Sequence, residues 1–119
     1  MAIKLTLNYS PNFNLKKRDK NQIRFLVFHY TGMKSEKLAI SKLTEIQSGV
    51  SSHYFIKKSG QILVMVPDLY IAWHAGVSSW KKYKSLNSNS IGIEISNPGH
   101  QFGYVNFTKK QIKNLIKLS

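Results

Sequence analysis

The sequence predicts a β-sheet flanked by helices. A nearly continuous run of apolar and β-favouring residues at 24–31 is typical of a central strand that is buried on both faces. The stretch 52–66 has the pattern of a hairpin, and 90–96 alternates isoleucine with small or polar residues. Apolar residues at helical spacing follow Ser35 and Thr108. Strands and helices therefore share one chain.

The composition is that of one small domain. The chain has 119 residues, of which 42% are hydrophobic, so it can form a core and is not a disordered tail. It has no cysteine, which excludes a disulfide scaffold and a cysteine-based metal site. No window has the length and apolar character of a signal peptide or a membrane span. We therefore expect a cytoplasmic protein, or an envelope protein if Met1 is not the true start.

The charge is strongly positive but does not name a partner. The net charge is +13, and such a chain is attracted to nucleic acid, anionic lipid or envelope polymers. Only two of the 18 basic residues are arginine, however, although arginine is the better reader of phosphates and guanine edges. The lysines are spread along the whole chain. A lysine-rich composition without a binding role and a functional polyanion patch both remain open.

The elements follow in chain order. Residues 1–22 are polar and predict an extended arm, and 23–119 predicts the sheet and helices. His29 lies near the end of the strand 24–31. In sheets flanked by helices, active sites are commonly found at the ends of the strands. Ser35 predicts the N-cap of a helix over 36–47. Its predicted buried stripe consists of Ala39, Leu43 and Ile46.

The second half of the chain alternates between loops and regular elements. Strands are predicted at 52–56 and 61–66, a loop at 71–80 and a surface loop at 81–90. In the strand 90–96, alternation places one set of residues on one face and the other set opposite: Ile91, Ile93 and Ile95 against Gly92, Glu94 and Ser96. The last helix is predicted to begin with a capping box of Thr108 and Gln111. Its apolar stripe is Ile112, Leu115 and Ile116.

Glu94 is the strongest candidate for a catalytic residue in this pattern. It is one of only five acids, and it lies in an isoleucine-rich strand on a face of small residues that resembles the floor of a cleft. A carboxylate in such a place is costly unless it is paired, hydrogen-bonded or bound to a metal. Two interpretations are open. Glu94 is a structural residue paired with a lysine, or it is a general base with a raised pKa.

The histidines and tryptophans give weaker signals. The four histidines form no local metal-binding spacing, so a metal site would have to combine distant segments. Position favours His29 at a strand end and His74 in the loop beside Trp73, whereas His53 is predicted to be structural and His100 a turn residue. Trp73 and Trp80 are either buried anchors or stacking platforms for a flat ligand.

These residues carry a resemblance to a known family. Segments of the chain resemble, in the same order, the zinc-dependent N-acetylmuramoyl-L-alanine amidases, which share their fold with the peptidoglycan recognition proteins and the phage-type amidases. The segments are VFHYTGM, VSSHYFIKKSGQI, AWHAGVSSW and LNSNSIGIEISNPGHQFGY, followed by a helix that contains a glutamine. The resemblance covers essentially all of 1–119, and AWHAG followed by SIGIE is its most specific part.

The resemblance implies an α+β domain with a mixed β-sheet flanked by helices and one zinc ion at the strand ends. It implies hydrolysis of the amide between N-acetylmuramic acid and L-Ala in peptidoglycan or muropeptides. His29 matches the first zinc ligand, and Glu94 matches the carboxylate that activates the zinc-bound water. Trp73 and His74 match a pocket-lining segment, and Asn97 matches a residue that holds the stem peptide. An open zinc site lowers the pKa of its water to about 7 and needs a nearby base.

The resemblance is incomplete at the C-terminal end. Family members carry a second histidine in a further strand and then an aspartate or cysteine ligand. This sequence has no match to either of them, although a catalytic zinc needs three protein ligands. We therefore expect 1–119 to be the N-terminal portion of one amidase domain that lacks its last strand and helix. We expect it to be impaired as written, from an interrupted or split gene or a trimmed chain. A complementing C-terminal fragment is then a candidate partner, and an exposed sheet edge predicts marginal stability or aggregation.

Three functions compete at this point. The first is the zinc amidase. The second is a non-catalytic peptidoglycan-binding module, which would bind cell-wall fragments without metal. The third is a basic nucleic-acid binder, which would show a steep salt dependence. The motifs favour the first, and we expect no nucleic-acid partner.

Overall fold

The fold is built around a five-stranded sheet. The computed structural model describes residues 4–75, 79–80, 83–84, 86–99 and 105–119, with the backbone alone at 79–80 and 83–84. The strands are β1 (Leu5–Leu7), β2 (Phe13–Asn14), β3 (Phe25–Tyr30), β4 (Tyr54–Ile56), β5 (Ile62–Val64), β6 (Ile71–Ala72), β7 (Ser79–Trp80), β8 (Tyr83–Lys84) and β9 (Ser90–Ile95). The α-helices are α1 (Glu36–Thr44), α2 (Leu86–Asn89) and α3 (Lys109–Leu118), with short 3-10 helices at Lys20–Gln22 and Ile46–Ser48.

The main sheet is mixed, as predicted. Its strand order is β1-β5-β4-β9-β3, in which β4 and β5 are antiparallel and the other neighbours are parallel. The predicted hairpin is therefore confirmed as β4–β5, although both strands are shorter than expected. Two small antiparallel pairs, β2–β6 and β7–β8, complete the strands of the described residues. These pairs, and helix α2, lie in stretches that the sequence analysis assigned to an arm or to loops.

Helices cover both faces of the sheet. On one face, Ala39 and Leu43 of α1 pack against Phe55, Leu63 and Met65. On the other face, Leu115 and Leu118 of α3 pack against a cluster formed by Ile56, Ile62, Ile93 and Ile95. The predicted alternation of β9 is confirmed, since Ile93 and Ile95 lie on the α3 side. An α+β domain with a sheet between helices is the architecture that results.

The N-terminal segment is part of the sheet. The polar composition of 1–22 predicts an extended arm, but β1 pairs in parallel with β5 and β2 pairs with β6. Arg18 is buried within the fold, and the Nδ2 group of Asn12 donates to the carbonyl oxygens of Glu45 and Val50 at 2.7 and 2.8 Å. The polar composition of this segment predicts exposure to solvent. Its buried polar groups are instead satisfied by hydrogen bonds within the fold.

Strand β3 is an edge strand, which corrects the prediction of a central one. Within the described ranges it pairs only with β9, and Leu26, Phe28 and Tyr30 are 46%, 51% and 51% exposed. An apolar run predicts the strand correctly because both faces are apolar. It does not specify whether a neighbour lies on each side.

The two predicted helix starts are confirmed. The Oγ atom of Ser35 accepts from the N–H of Leu38 at 3.1 Å, and Thr108 and Gln111 form the predicted capping box. Helix α1 is shorter than predicted, because it ends at Thr44 and is followed by a 3-10 turn. Ile46 lies in that turn and is 73% exposed, so its predicted place in the buried stripe is wrong.

The stripe of α3 is only partly buried. Leu115 contacts the isoleucine cluster, whereas Ile112 and Ile116 are 47% and 70% exposed. Ile112 lines a groove together with Phe28 and Tyr30 of β3. No helix in the described residues is long and apolar enough to cross a membrane.

Candidate active site

The candidate site lies where β3 and β9 end side by side. The two strands are parallel, and the Cα atom of His29 pairs in register with that of Glu94. Because side chains at paired positions point to the same face, both residues face the α1 side. They line a cavity of about 200 Å³, together with Trp73, His74 and Lys42. The structure thus brings together four of the five predicted site residues.

Glu94 has the properties expected of a proton acceptor. Burial raises the pKa of its carboxyl group to about 7, and the nearby charge of Lys42 offsets this only in part. The described residues make no hydrogen bond or ion pair with this carboxylate. The structural alternative, a glutamate paired with a lysine, is therefore not what the described part of the chain shows. A carboxyl group with a pKa near 7 exchanges protons readily at neutral pH.

His29 lies next to His74 in the cavity. Its Nε2 atom lies 3.1 Å from Nδ1 of His74, and the two rings meet at a steep angle of 65°. Burial lowers the pKa of His29 below its ordinary value. The imidazole is therefore neutral at physiological pH, which is the form that binds metal ions and accepts protons.

His74 is fixed from several sides. The backbone N–H groups of His74 and Ala75 both donate to Oδ1 of Asn87, at 3.1 and 2.8 Å. The Nε2 atom of its ring lies 3.0 Å from Oγ of Ser90. Burial, together with smaller contributions from His29, His53 and Arg18, lowers the pKa of His74 to about 3. The ring is thus held rigidly in its neutral form.

Trp73 forms one wall of the cavity. Its indole N–H donates to Oδ1 of Asn14 at 2.7 Å, and its backbone N–H donates to Oγ of Ser51 at 2.9 Å. The indole is therefore anchored at its polar edge and lines the cavity, so the two alternatives for this residue, anchor and platform, do not exclude each other. The side chain of Trp80 lies outside the described residues.

Asn97 occupies a different place from the other predicted site residues. It is buried, its Nδ2 group donates to the carbonyl oxygen of Val105 at 2.8 Å, and its Oδ1 accepts from the N–H of Gly99 at 2.9 Å. The amide thus ties the segment after β9 to the segment that precedes α3. It does not line the cavity. Direct contact of Asn97 with a stem peptide stays a prediction.

His53 is structural, as predicted. It is fully buried, and its Nδ1 accepts from the backbone N–H of Gly92 at 3.0 Å. Its Nε2 group then donates to the carbonyl oxygen of Tyr70 at 2.8 Å. Burial lowers the pKa of His53 to about 4. The prediction for His100 lies outside the described residues.

Three residues that support the site were missed by the sequence analysis. Arg18 donates to the carbonyl oxygens of Asp68, Asn87 and Ser88 at 2.9–3.2 Å, so it joins the segment before β3 to the loop after β5 and to α2. Asn87 and Ser90 hold His74. For Asn87 and Ser90, the only signal in the sequence is their position at or beside the strand 90–96, because asparagine and serine in a polar stretch normally predict a surface loop.

The comparison with protein families decides the identity of the fold. The family model described as N-acetylmuramoyl-L-alanine amidase matches residues 19–119. The chain belongs to the N-acetylmuramoyl-L-alanine amidase family. The resemblance of the sequence motifs to this family is therefore confirmed, as is the predicted fold.

Two amidase relatives illustrate the similarity. The N-acetylmuramoyl-L-alanine amidase AmiD of Escherichia coli K12 is 37% identical over 110 residues, which cover 82% of this chain and 39% of AmiD. The structure of AmiD in complex with anhydro-N-acetylmuramic acid-L-Ala-D-γ-Glu-L-Lys matches with a TM-score of 0.71 over 82% of this chain and 41% of that one. AmpDh3 from Pseudomonas aeruginosa, in complex with anhydromuramic pentapeptide, matches with a TM-score of 0.73 and 30% identity over 88% of this chain and 48% of that one. The chain thus spans about two fifths of the length of AmiD.

The described residues of this amidase-family chain do not complete a zinc site. They contain no group of three or more His, Cys, Asp or Glu side chains that could hold a metal ion. A catalytic zinc needs three protein ligands. His29 has the chemistry of a ligand, but the zinc implied by the resemblance does not fit the donors present in the described ranges.

Proposed function

We propose that this chain provides the base and the substrate-binding wall of an amidase site. The bond to be hydrolysed is the amide between the lactyl group of N-acetylmuramic acid and L-Ala, in peptidoglycan or in muropeptides. The observation that carries the proposal is the register of His29 with Glu94 on adjacent parallel strands that face one cavity. AmiD and AmpDh3, which the chain resembles, were solved with anhydromuramic peptides of this type.

Glu94 is the proposed proton carrier. Water attacks the amide carbonyl carbon and loses a proton to the Glu94 carboxylate. The same carboxyl group then delivers that proton to the amide nitrogen, so the C–N bond breaks and the amine of L-Ala leaves. A pKa near 7 suits both steps, because the group can be ionised before the attack and protonated after it.

Trp73 and His74 are the proposed binding wall. The Trp73 indole is fixed by Asn14 and presents an apolar surface to the cavity, which suits a sugar ring or the lactyl group. Lys42, on α1, adds a positive charge to the same cavity and suits an anionic muropeptide. We propose that Asn97 acts on the substrate indirectly, by tying the segment after β9 to the segment that precedes α3.

Because the described residues do not complete a zinc site, the proposed roles of this chain are substrate binding and proton transfer. Turnover then needs metal ligands from outside the described ranges, such as a complementing C-terminal fragment. The same observation favours a second function, a peptidoglycan-binding module without catalysis. The two functions differ in their dependence on metal.

One experiment separates these two functions. The purified chain is incubated with anhydro-N-acetylmuramic acid-L-Ala-D-γ-Glu-L-Lys and zinc, with and without chelator, and free sugar and peptide are quantified by mass spectrometry. The amidase function predicts release of peptide, by the chain alone or after addition of a complementing C-terminal fragment, and this release should stop with chelator and with Glu94→Gln. Glu45→Gln, which removes the same charge at an exposed position, serves as the matched control.

Binding is measured on the same samples by calorimetry. Binding without release even when the complementing fragment is present, unchanged by chelator and weakened by Trp73→Ala, would assign the module function. Neither binding nor release would overturn both proposals.

A further inference from the structure

The hydroxyl group of Ser90 sets the direction of a chain of hydrogen bonds. Its Oγ atom lies 2.5 Å from the carbonyl oxygen of Leu86 and 3.0 Å from Nε2 of His74. A carbonyl oxygen can only accept, and a hydroxyl group has one hydrogen to donate. That hydrogen therefore lies between Ser90 and Leu86, since two oxygens 2.5 Å apart would otherwise repel each other. Oγ of Ser90 must then accept from His74.

The hydrogen bond to Ser90 fixes the tautomer of His74. Because Ser90 accepts, the hydrogen of the neutral ring is on Nε2, and Nδ1 carries a lone pair. At about pH 8, well above the ordinary pKa of histidine, the ring is neutral. A neutral imidazole has one donor and one acceptor nitrogen. Nδ1 of His74 is thus an acceptor, and the atom 3.1 Å away from it is Nε2 of His29.

We propose that His74 is a positioning residue that holds His29 in the Nε2–H tautomer, so that Nδ1 of His29 is the nitrogen left free. No donor within the described ranges reaches that Nδ1, and it is not among their buried unpaired atoms. It is therefore accessible to an incoming group. When one ring N–H of a histidine donates to a fixed acceptor, the imidazole is oriented so that its other nitrogen can bind a ligand.

The surroundings of His74 support this role. Asn87 fixes its backbone through two hydrogen bonds, and the missing side chain of Gly92 leaves room for the ring. In the described residues, neither Asn87 nor Gly92 makes a hydrogen bond to the ring of His29. The position of Nδ1 of His74 is thus set independently of the histidine that it orients. The inference concerns the free protein and does not depend on the proposed amidase activity.

Tautomers are read directly by NMR. The chain, with 15N-labelled histidine, is measured in long-range 1H–15N spectra at about pH 8 in chelator-treated buffer, where neutral rings predominate. We expect His29 to show a protonated Nε2 and an unprotonated Nδ1. His53 is the internal control, because Gly92 donates to its Nδ1 and so requires the same tautomer independently of His74.

Three variants test the role of His74. His74→Phe removes the acceptor, and His29 should change to a mixture of both tautomers. His74→Asn keeps an acceptor oxygen at the δ position and should restore the Nε2–H form. Ser90→Ala removes the group that sets the direction and should also produce a mixture, with the signals of His53 unchanged.

Two results would overturn the proposal. The first is a protonated Nδ1 of His29 in the unaltered chain. The second is an Nε2–H form of His29 that persists in both His74→Phe and Ser90→Ala. If the His53 signals show that His74→Phe is unfolded, the comparison of Ser90→Ala with the unaltered chain decides the matter.

Discussion

The ring of His74 occupies the space that a side chain on Gly92 would need. A Cβ atom on Gly92 would lie 2.6 Å from Cδ2 of His74, which is closer than such atoms approach each other in proteins. The glycine in the strand SIGIEI therefore has a definite purpose, since it admits the histidine that contacts His29. The alternation of the strand predicts a face of small residues there, but it does not specify that the ring of His74 packs against it.

Gly92→Ala should displace His74 and destabilise the fold. Overpacking of this kind costs about 1–3 kcal/mol, because either the ring or the strand must move. Urea unfolding measures the loss, and the tautomer spectrum of His29 reports the displacement. Gly49→Ala is a suitable control, since no atom lies within 4 Å of the added Cβ there and only the positive φ of 64° is strained. A stable Gly92→Ala protein with an unchanged His29 would contradict this account.

Glu94→Gln should stabilise the protein at high pH and not at low pH. The folded-state pKa of Glu94 is raised from 4.5 to about 7, so between these values the folded protein holds more protons than the unfolded one. The free energy of unfolding contributed by Glu94 therefore falls as pH rises through this window. Glutamine mimics the protonated form, and its gain at about pH 8 should be about 1–3 kcal/mol.

The measurement is urea unfolding of both proteins at several pH values from about 4 to 8. The difference between them should be near zero at the acid end and grow toward neutral pH. Glu45→Gln, at an exposed position, should show no such trend. An equal difference at all pH values would mean that ionisation of Glu94 is not the cause.

Arg18→Met should be strongly destabilising. Arg18 is 5% exposed, and its guanidinium group donates to carbonyl oxygens of three residues in two separate segments. Removing it leaves these partly buried acceptors without their charged donor, at a cost of about 2–4 kcal/mol. Arg18→Lys should recover little of this loss, because an ammonium group lacks the planar fork that reaches both segments. Thermal unfolding gives the values, and Lys20→Met, at an exposed position, is the control.

The outer face of β3 should cause self-association. Phe28 and Tyr30 are half exposed and line an apolar groove of about 260 Å³ with Phe107 and Ile112. An unpaired apolar edge strand is a template for intermolecular pairing. Phe28→Lys should therefore reduce the aggregate fraction several-fold in light scattering. Leu38→Lys, which changes a residue 61% exposed on α1, should have a smaller effect. Equal effects of both substitutions would point to net charge rather than to this edge.

Local patterns in the sequence determined much of the architecture. Alternation in SIGIEIS placed Glu94 on the face opposite Ile93 and Ile95, because successive side chains of a strand point to opposite faces. Ser35 and Thr108 marked the true starts of α1 and α3, because a cap is a contact between residues three apart. The motifs that contain His29, His74 and Glu94 identified the family, which the match over 19–119 confirmed.

Only the tertiary structure decided how these pieces meet. The apolar run of β3 is compatible with a central or an edge strand, and its neighbours are set by pairing over more than 60 residues of sequence. The roles of Arg18, Asn87 and Ser90 also come from partners that are distant in sequence or lie on the turn of a short helix. The sequence thus identified candidate site residues such as Glu94 and His29. The fold determined the burial that raises the pKa of Glu94 and the hydrogen-bond chain that orients His29, since both depend on distances that no local pattern contains.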